Sequence, residues 1–287
     1  MVWIKTSCSS PNFVASAIFI RLHIPQNLKL VSFKLATWNV NSLNVRLPHV
    51  LDWLKDSPID VLCLQETKQE DSKFPYEDLK NAGYHSVHLG QKTYNGVAIL
   101  STHQMTNVEF GIAGFEDAQS RVISATIKGI RVICVYIVNG QAVNSEKYDY
   151  KMRWLTALTH WLTGELQKYP NLILLGDYNI APEDRDCHDP AAWIGQILVS
   201  PREREAFVKL TNLGLTDSFR LFNQEDKQFS WWDYRMMGFR RNLGMRIDHI
   251  LVSDALKPAC KACVIDKAPR KLERPSDHTP VILELVT

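Results

Sequence analysis

The chain has 287 residues, 45% of them apolar and 22% charged, and its 33 basic and 31 acidic side chains leave a net charge of +2. This is a globular composition, long enough for one large domain or two ordinary ones, and it excludes a disordered tail, a collagen-like fibre and a disulfide-stapled miniprotein. A total so near neutrality does not by itself announce a nucleic-acid binder.

Taken in chain order, the first apolar run is Phe13–Ile20 (FVASAIFI). It is too short to span a bilayer. Only Lys5 precedes it and no small-residue cleavage site follows, so it makes a poor signal peptide. Residues 1–29 therefore read as a leader or a non-native extension, with a peripheral helix as the other reading. Phe33–Val40 reads as a strand. Asn44–Lys55 reads as a helix, with Val45, Leu47, Val50, Leu51 and Leu54 near a 3.6-residue period. Pro48 falls in its first turns, where proline is tolerated. Ile59–Gln65, Val97–Ser101, Val122–Ile127 and Val132–Val138 read as strands rich in Val and Ile. Ser145–Tyr169 is the clearest helix, its apolar stripe running through Trp154, Leu155, Leu158, Trp161, Leu162 and Leu166. Leu172–Leu175, Ile247–Val252 and Val281–Leu285 are again buried strands. No Pro/Gly/Ser linker, internal repeat or low-complexity run divides the series. One domain with two packed sheets and outer helices is expected.

Six cysteines in so long a chain do not form a disulfide framework. Cys63 and Cys134 sit in apolar runs and read as small buried hydrophobes. Cys260 and Cys263 form a CxxC with no second half; a strand with its thiols on opposite faces is expected there rather than zinc. The pattern fits a reducing, intracellular protein.

Charge is uneven along the chain. Arg235–Arg274 holds ten basic and four acidic residues, a net of +6, while the rest holds 23 basic and 27 acidic residues, a net of −4. A basic quarter on an acidic body points to a polyanionic partner, a solvated basic face being the plainer alternative. Just before it stand Phe229, Trp231, Trp232 and Tyr234, of which Phe229 and Trp232 are assigned to the core.

Polar residues fall where apolar strands end. Asn39 and Asn41 close the first strand, Glu66 closes IDVLCLQE, Asp177 and Asn179 close LILLGDYN, Asp248 lies in RIDHILV, and Asp277 and His278 precede TPVILEL. A cap or turn explains any one of these. Five together point to a shared site, because a buried carboxylate is costly unless paired or bound to metal. Oxygen donors with one imidazole suit Mg²⁺ or Mn²⁺ rather than closed zinc. No GxxxxGK[ST] loop, strand-linked GxGxxG or GxSxG elbow is present, so no nucleotide cofactor and no serine hydrolase is expected.

The strings WNVNSL (38–43), LQETK (64–68), YNGVAIL (94–100), GDYNIAP (176–182), FSWWDYR (229–235), RIDHILVS (246–253) and PSDHTPV (275–281) resemble the exonuclease III type of AP endonuclease, within the endonuclease/exonuclease/phosphatase superfamily. The resemblance runs from about Lys34 to Val286. It implies a four-layer α-β-β-α sandwich, two mixed β-sheets face to face with outer helices, formed by residues 30–287 as a single domain.

It also implies roles. Glu66 would be the principal metal ligand, with Asn39, Asp177, Asn179 and Asp277 in the metal region. Asp177 would orient or deprotonate the attacking water, with Asn179 helping to place it or binding the phosphate. Asp248 would hold His278, whose imidazolium would meet the scissile phosphate. Tyr136 would meet the phosphate or the leaving oxygen, and Asn139 the phosphate or flanking backbone. Trp231, with Met245 and Ile247, would wall the pocket for a baseless sugar or 3′-terminal nucleotide, and Arg235, Arg240, Arg241 and Arg246 would follow the DNA backbone. His188, in DRDCHDP (184–190), stands where relatives can carry a small residue, and would narrow the pocket or touch DNA. Asn41 stands where some relatives have Asp, and VNGQAVN (138–144) lacks a basic residue that some place near DNA.

The expected function is a Mg²⁺-dependent (or Mn²⁺-dependent) DNA-repair nuclease, monomeric, cytoplasmic and not membrane-bound. It would act on double-stranded DNA at abasic sites and at damaged or recessed 3′ ends. The alternatives are a specialised 3′–5′ exonuclease and 3′-phosphatase with weak abasic incision, a small-molecule phosphatase, and a non-catalytic DNA-binding module.

Overall fold

The computed structural model describes residues 32–286; the apolar run 13–20 and the leader reading of residues 1–29 lie outside them. The strands are β1 (Ser32–Asn39), β2 (Val61–Gln65), β3 (His85–Leu89), β4 (Val97–Ser101), β5 (Thr106–Phe110), β6 (Val122–Ile127), β7 (Ile130–Tyr136), β8 (Leu172–Asp177), β9 (Leu215–Asp217), β10 (Trp231–Trp232), β11 (Gly244–Met245), β12 (Asp248–Ser253), β13 (Cys260–Ile265) and β14 (Val281–Val286). The α-helices are α1 (Leu43–Asp56), α2 (Tyr76–Asn81), α3 (Glu146–Lys168) and α4 (Pro201–Thr211). The Ser145 hydroxyl caps α3 by accepting from the Tyr148 amide, and Ser200 with Glu203 forms a capping box on α4. Among the described residues no helix is long and apolar enough to cross a membrane.

Two six-stranded sheets carry the fold, ordered β13-β14-β1-β2-β4-β3 and β5-β6-β7-β8-β12-β9. Both are mixed. β1 and β2 run parallel with α1 between them, and β7 and β8 run parallel with α3 between them; a parallel pair requires such a crossover. The other pairings in these sheets are antiparallel.

Side chains alternate along each strand and sort the apolar residues of the two sheets and their helices into three of the four clusters among the described residues. Leu35, Val61, Cys63, Ile99, Cys134, Ile173 and Leu175 meet between the sheets. Ala36, Trp38, Leu62 and Leu64 turn outward against Val50, Trp53 and Leu54 of α1 and Leu79 of α2. Ile133, Val135, Leu172 and Leu174 turn outward against Trp154, Leu155 and Leu158 of α3 and Phe207 and Leu210 of α4. Strands covered on both faces read as unbroken apolar runs, which is why the sequence marks them so clearly. The result is the expected four-layer sandwich, and each expected strand and long helix lies within two residues of its position. The sequence does not mark β3, β5, β9, β10, β11, α2 and α4: these strands are short or half-exposed and are held by pairing, and the two helices are short.

One expectation is corrected. Cys260 and Cys263 do not take opposite faces. A register shift between Cys260 and Ala262 pairs Cys260 with Leu285 and Cys263 with Leu283, so both thiols turn to the core between the sheets. The extra residue of a bulge cancels the odd spacing.

Backbone packing is tightest at Gly176, one residue before Asp177, where an added Cβ would stand 1.9 Å from the Val135 carbonyl oxygen. Gly176→Ala is expected to force β8 away from β7 and to cost about 1–3 kcal/mol, the usual range for overpacking. A thermal or denaturant melt reads this, and an unchanged midpoint would contradict the close approach.

Candidate active site

The topology gathers the polar strand ends. β1, β2, β7 and β8 end at one edge of the sandwich with Asn39, Gln65–Glu66, Tyr136 and Asp177. β12 starts there with Asp248, paired in register with Asp177. Asp277 and His278 lead into β14, which is antiparallel to β1. Glu66, Asn179 and Asn41 take positive φ values of 52°, 50° and 45°. That conformation is uncommon outside glycine, and strained backbone of this kind concentrates at functional sites.

Glu66, Asp177 and His278 offer ligand atoms that all lie within 4.8 Å of one another. The Asn39 side-chain amide ties the two carboxylates together, donating to Glu66 Oε1 at 2.8 Å and Asp177 Oδ2 at 2.9 Å. Asn179 donates to Asp177 Oδ2 at 3.3 Å and accepts from Asn139 Nδ2 at 2.9 Å. His278 Nδ1 donates to Asp248 at 2.9 Å, and its Nε2 stands 3.8 Å from Asp177. Tyr136 is half-buried against the Arg121 guanidinium, 4.8 Å from its ring centroid.

Electrostatics follow from this crowding. Burial pushes the Asp177 carboxyl up to about 7, reinforced by Asp248 and Glu66 and opposed by His278 and Asn39. Burial alone would lower the His278 pKa; Asp248, then Asp177, outweighs it and holds the ring at about 10, so the imidazolium persists through neutral pH. Burial also raises Glu66, but Lys68, Asn39 and His278 hold its carboxyl below the usual range. Burial beside Glu66 and Asp177 keeps the Tyr136 phenol protonated, although Arg121 opposes this.

The donor set fits a hard divalent cation. Two oxygen-bearing carboxylates that repel one another face the same point, and such a cation keeps waters in its remaining positions. Glu66 and Asp177 would hold it. Three other expected ligands are placed differently. Asn39 and Asn179 turn donor NH₂ groups toward the carboxylates, which orients them, while their Oδ1 atoms accept from the Asn41 amide and from Asn139 Nδ2. Asp277 is outside the cluster, its oxygens accepting from Asn41 Nδ2 at 2.9 Å and Trp231 Nε1 at 3.1 Å.

The pocket side needs further corrections. Trp231 is half-exposed and bridges in backbone to His278. Met245 and Ile247 are buried beneath it with Cys187, Leu198 and Val199, so they support the wall and present no surface. Arg246 is 1% exposed and pairs with Asp186 and Asp217, so it does not meet a DNA backbone. Arg235, Arg240 and Arg241 are exposed, and Arg235 pairs with Asp233 at 3.2 Å. His188 is half-buried, its amide and Nδ1 both 3.1 Å from the Gly244 carbonyl oxygen, which places it against the strand that pairs with Trp231. Lys68, two residues after Glu66 in LQETK, was missed as a site residue; its ammonium bridges Glu66 Oε2 at 2.8 Å and Asn41 Oδ1 at 2.6 Å. Arg121 was missed too, and no local signal marks it.

Asp248→Asn removes the charge that sustains the imidazolium. The His278 ring proton shifts, followed by NMR, are expected to titrate much nearer the ordinary imidazole value than about 10. Because the folded pKa is raised, its stabilisation is complete below the unfolded value, about 6.5, and is lost as pH rises through about 10. The melting difference between wild type and variant should therefore be widest below pH 7 and narrow toward pH 10. An unmoved titration would contradict the pairing.

Residues 36–278 match the Endonuclease/Exonuclease/phosphatase family. Exodeoxyribonuclease III of Haemophilus influenzae is 38% identical over 266 residues, covering 88% of this chain and 99% of its own. Among solved structures, the 3′ phosphatase NExo from Neisseria, bound to a product DNA hairpin, is 50% identical with a TM-score of 0.87, covering 89% of this chain and 100% of its own. An AP endonuclease from Archaeoglobus fulgidus is 40% identical with a TM-score of 0.85, covering 88% and 98%. With a match that takes in every strand end of the polar corner, the chain belongs to the Endonuclease/Exonuclease/phosphatase family.

Proposed function

We propose that this chain is a Mg²⁺-dependent DNA-repair phosphodiesterase that incises at abasic sites and trims blocked or recessed 3′ ends, leaving a 3′-hydroxyl. It would work as a monomer in the cytoplasm, Mn²⁺ being the alternative ion. The observation that carries the reading is the Glu66–Asp177–His278 corner beside half-exposed Trp231, with Arg235, Arg240 and Arg241 exposed nearby. The kinship to exodeoxyribonuclease III supports the same reaction class.

The residues divide the chemistry. When bound, a divalent cation held by Glu66 and Asp177 supplies positive charge to the phosphate oxygens. Asp177, with its pKa near neutrality, holds the attacking water and draws its proton, and Asn179 fixes that carboxylate, its backbone amide donating to Oδ1 at 2.9 Å and its side chain to Oδ2. His278, kept cationic by Asp248, faces the charge that grows on the phosphoryl oxygens. Tyr136 stays protonated and donates toward the leaving oxygen. Asn139, its side-chain amide anchored on Asn179 Oδ1, meets the phosphate or its flanking backbone. Exposed arginines hold the DNA without reading its sequence.

A second reading, the specialised 3′–5′ exonuclease and 3′-phosphatase, is favoured by one observation. His188 is pinned to the Gly244 carbonyl oxygen, beside the pocket wall, where it would crowd an internal nucleotide more than a chain end.

Labelled duplexes with an internal abasic site and with a 3′-phosphate separate the readings. Both are expected to be processed with Mg²⁺ and neither with EDTA. Asp177→Asn and His278→Asn are expected to lose ~10²-fold or more of activity, the scale of general acid–base assistance, while still folding. Near-normal turnover in either would overturn the assignment. Binding should weaken steeply with salt, as phosphate contacts require. His188→Gly should raise abasic incision if the second reading holds, and unchanged incision would remove His188 from it.

A further inference from the structure

Lys151 lies on α3 with its side chain fully buried, where a lone ammonium is costly. Nothing in the reaction just described uses it. Its Nζ donates to the Asn179 carbonyl oxygen at 2.7 Å, to the Asn139 carbonyl oxygen at 3.3 Å, and to Glu203 Oε1. All three donors of the ammonium are therefore spent. Glu203, on α4 and equally buried, accepts in addition from the Leu198 amide at 3.0 Å, the Ser200 amide at 3.1 Å and the Ser200 hydroxyl at 2.6 Å. The Tyr148 hydroxyl, again from α3, reaches Ser200 Oγ at 2.6 Å.

Two loops of the site are thus held from behind by one cation. Asn139 follows β7 and Asn179 follows β8, and their side chains meet in front of it at 2.9 Å. Asn179 keeps a φ of 50°, an uncommon region that asparagine enters more readily than most residues, and Lys151 holds its carbonyl there. Gly140, at φ 93°, lets the first loop close over Lys151: an added Cβ would stand 3.2 Å from Lys151 Cδ.

We infer that Lys151 is a positioning residue for the phosphodiesterase reaction, a buried cation anchored by Glu203 that fixes the Asn139 and Asn179 loops in register behind Asp177. The inference deepens the proposed function and rests on it for its kinetic consequence. A buried ion pair of this kind is rarely the most stable filling for its space, and the two carbonyls it clasps give a reason for its presence.

Removing Lys151 alone strands the Glu203 charge and is expected to destabilise the fold. The test is therefore the neutral pair Lys151→Met with Glu203→Gln. It is read by thermal melt, by kinetics on a 3′-phosphorylated duplex with Mg²⁺, and by amide hydrogen exchange over 138–141 and 178–181. The variant is expected to fold, to lose tenfold or more in kcat with KM within threefold, and to exchange faster in those two loops only. A folded variant with wild-type kcat in an active enzyme, or with unchanged exchange in the loops, would overturn the proposal. If that neutral pair fails to fold, Lys151→Gln with Glu203→Gln, which keeps polar groups in the space, is read by the same two criteria. If the wild type turns over no DNA probe while the loops still loosen in the variant, the positioning stands and the proposed substrate falls.

Discussion

Three carboxylates, Glu66, Asp177 and Asp248, share one water-poor corner, and His278 is the cation that makes their company tolerable. Asp177 and Asp248 face each other across a strand pair, and Asn39 bridges Asp177 to Glu66. Burial at this density raises the Asp177 pKa, while the Asp248 charge, working against burial, raises that of His278. The same repulsion that would destabilise an ordinary core is what gives the corner its affinity for positive charge.

The rest of the sandwich exists to impose that crowding. Parallel pairs in both sheets deliver Asn39 with Glu66 and Tyr136 with Asp177 at one edge, while antiparallel β12 and β14 bring Asp248 and His278 to it from the opposite chain direction. Gly176 allows β8 to approach β7 closely enough for this meeting. Amide side chains then fix carboxylates that would otherwise move apart. Lys68 completes the neutralisation from the solvent side. Behind the corner, Lys151 and Glu203 join α3 and α4 to the loops.

The pocket wall is supported differently. The β10–β11 ribbon carries Trp231, whose indole N–H bonds Asp277, so wall and catalytic corner are linked through consecutive residues, Asp277 and His278. Below it, buried Arg246 binds Asp186 and Asp217, with Arg220 also on Asp186. This network anchors the 184–190 loop and, with it, His188. Of the basic quarter, Arg246 and Arg270 are buried, so the +6 of the sequence overstates the charge offered to DNA. Arg235, Arg240 and Arg241 remain exposed.

The sequence by itself determined the sandwich's strands, because strands covered on both faces are apolar throughout and stop abruptly at polar residues. It also determined which chemical groups stand at those stops: Glu66, Asp177, Asn179, Asp248 and His278 are legible as strand-end residues, and the motifs around them carry the family. What it did not contain was direction. An asparagine reads equally as ligand or as donor, and only the tertiary partners show the Asn39 and Asn179 NH₂ groups aimed at Asp177. Arg246 and Arg235 read alike in sequence, yet one is buried on two aspartates and the other stands in solvent. A bulge of one residue reversed the face assigned to Cys260. Lys151 carries no local signal, because its partners come from α4 and from the loops after β7 and β8, outside its own helix. Tertiary structure decided these points, since each depends on contacts between segments that local pattern cannot register.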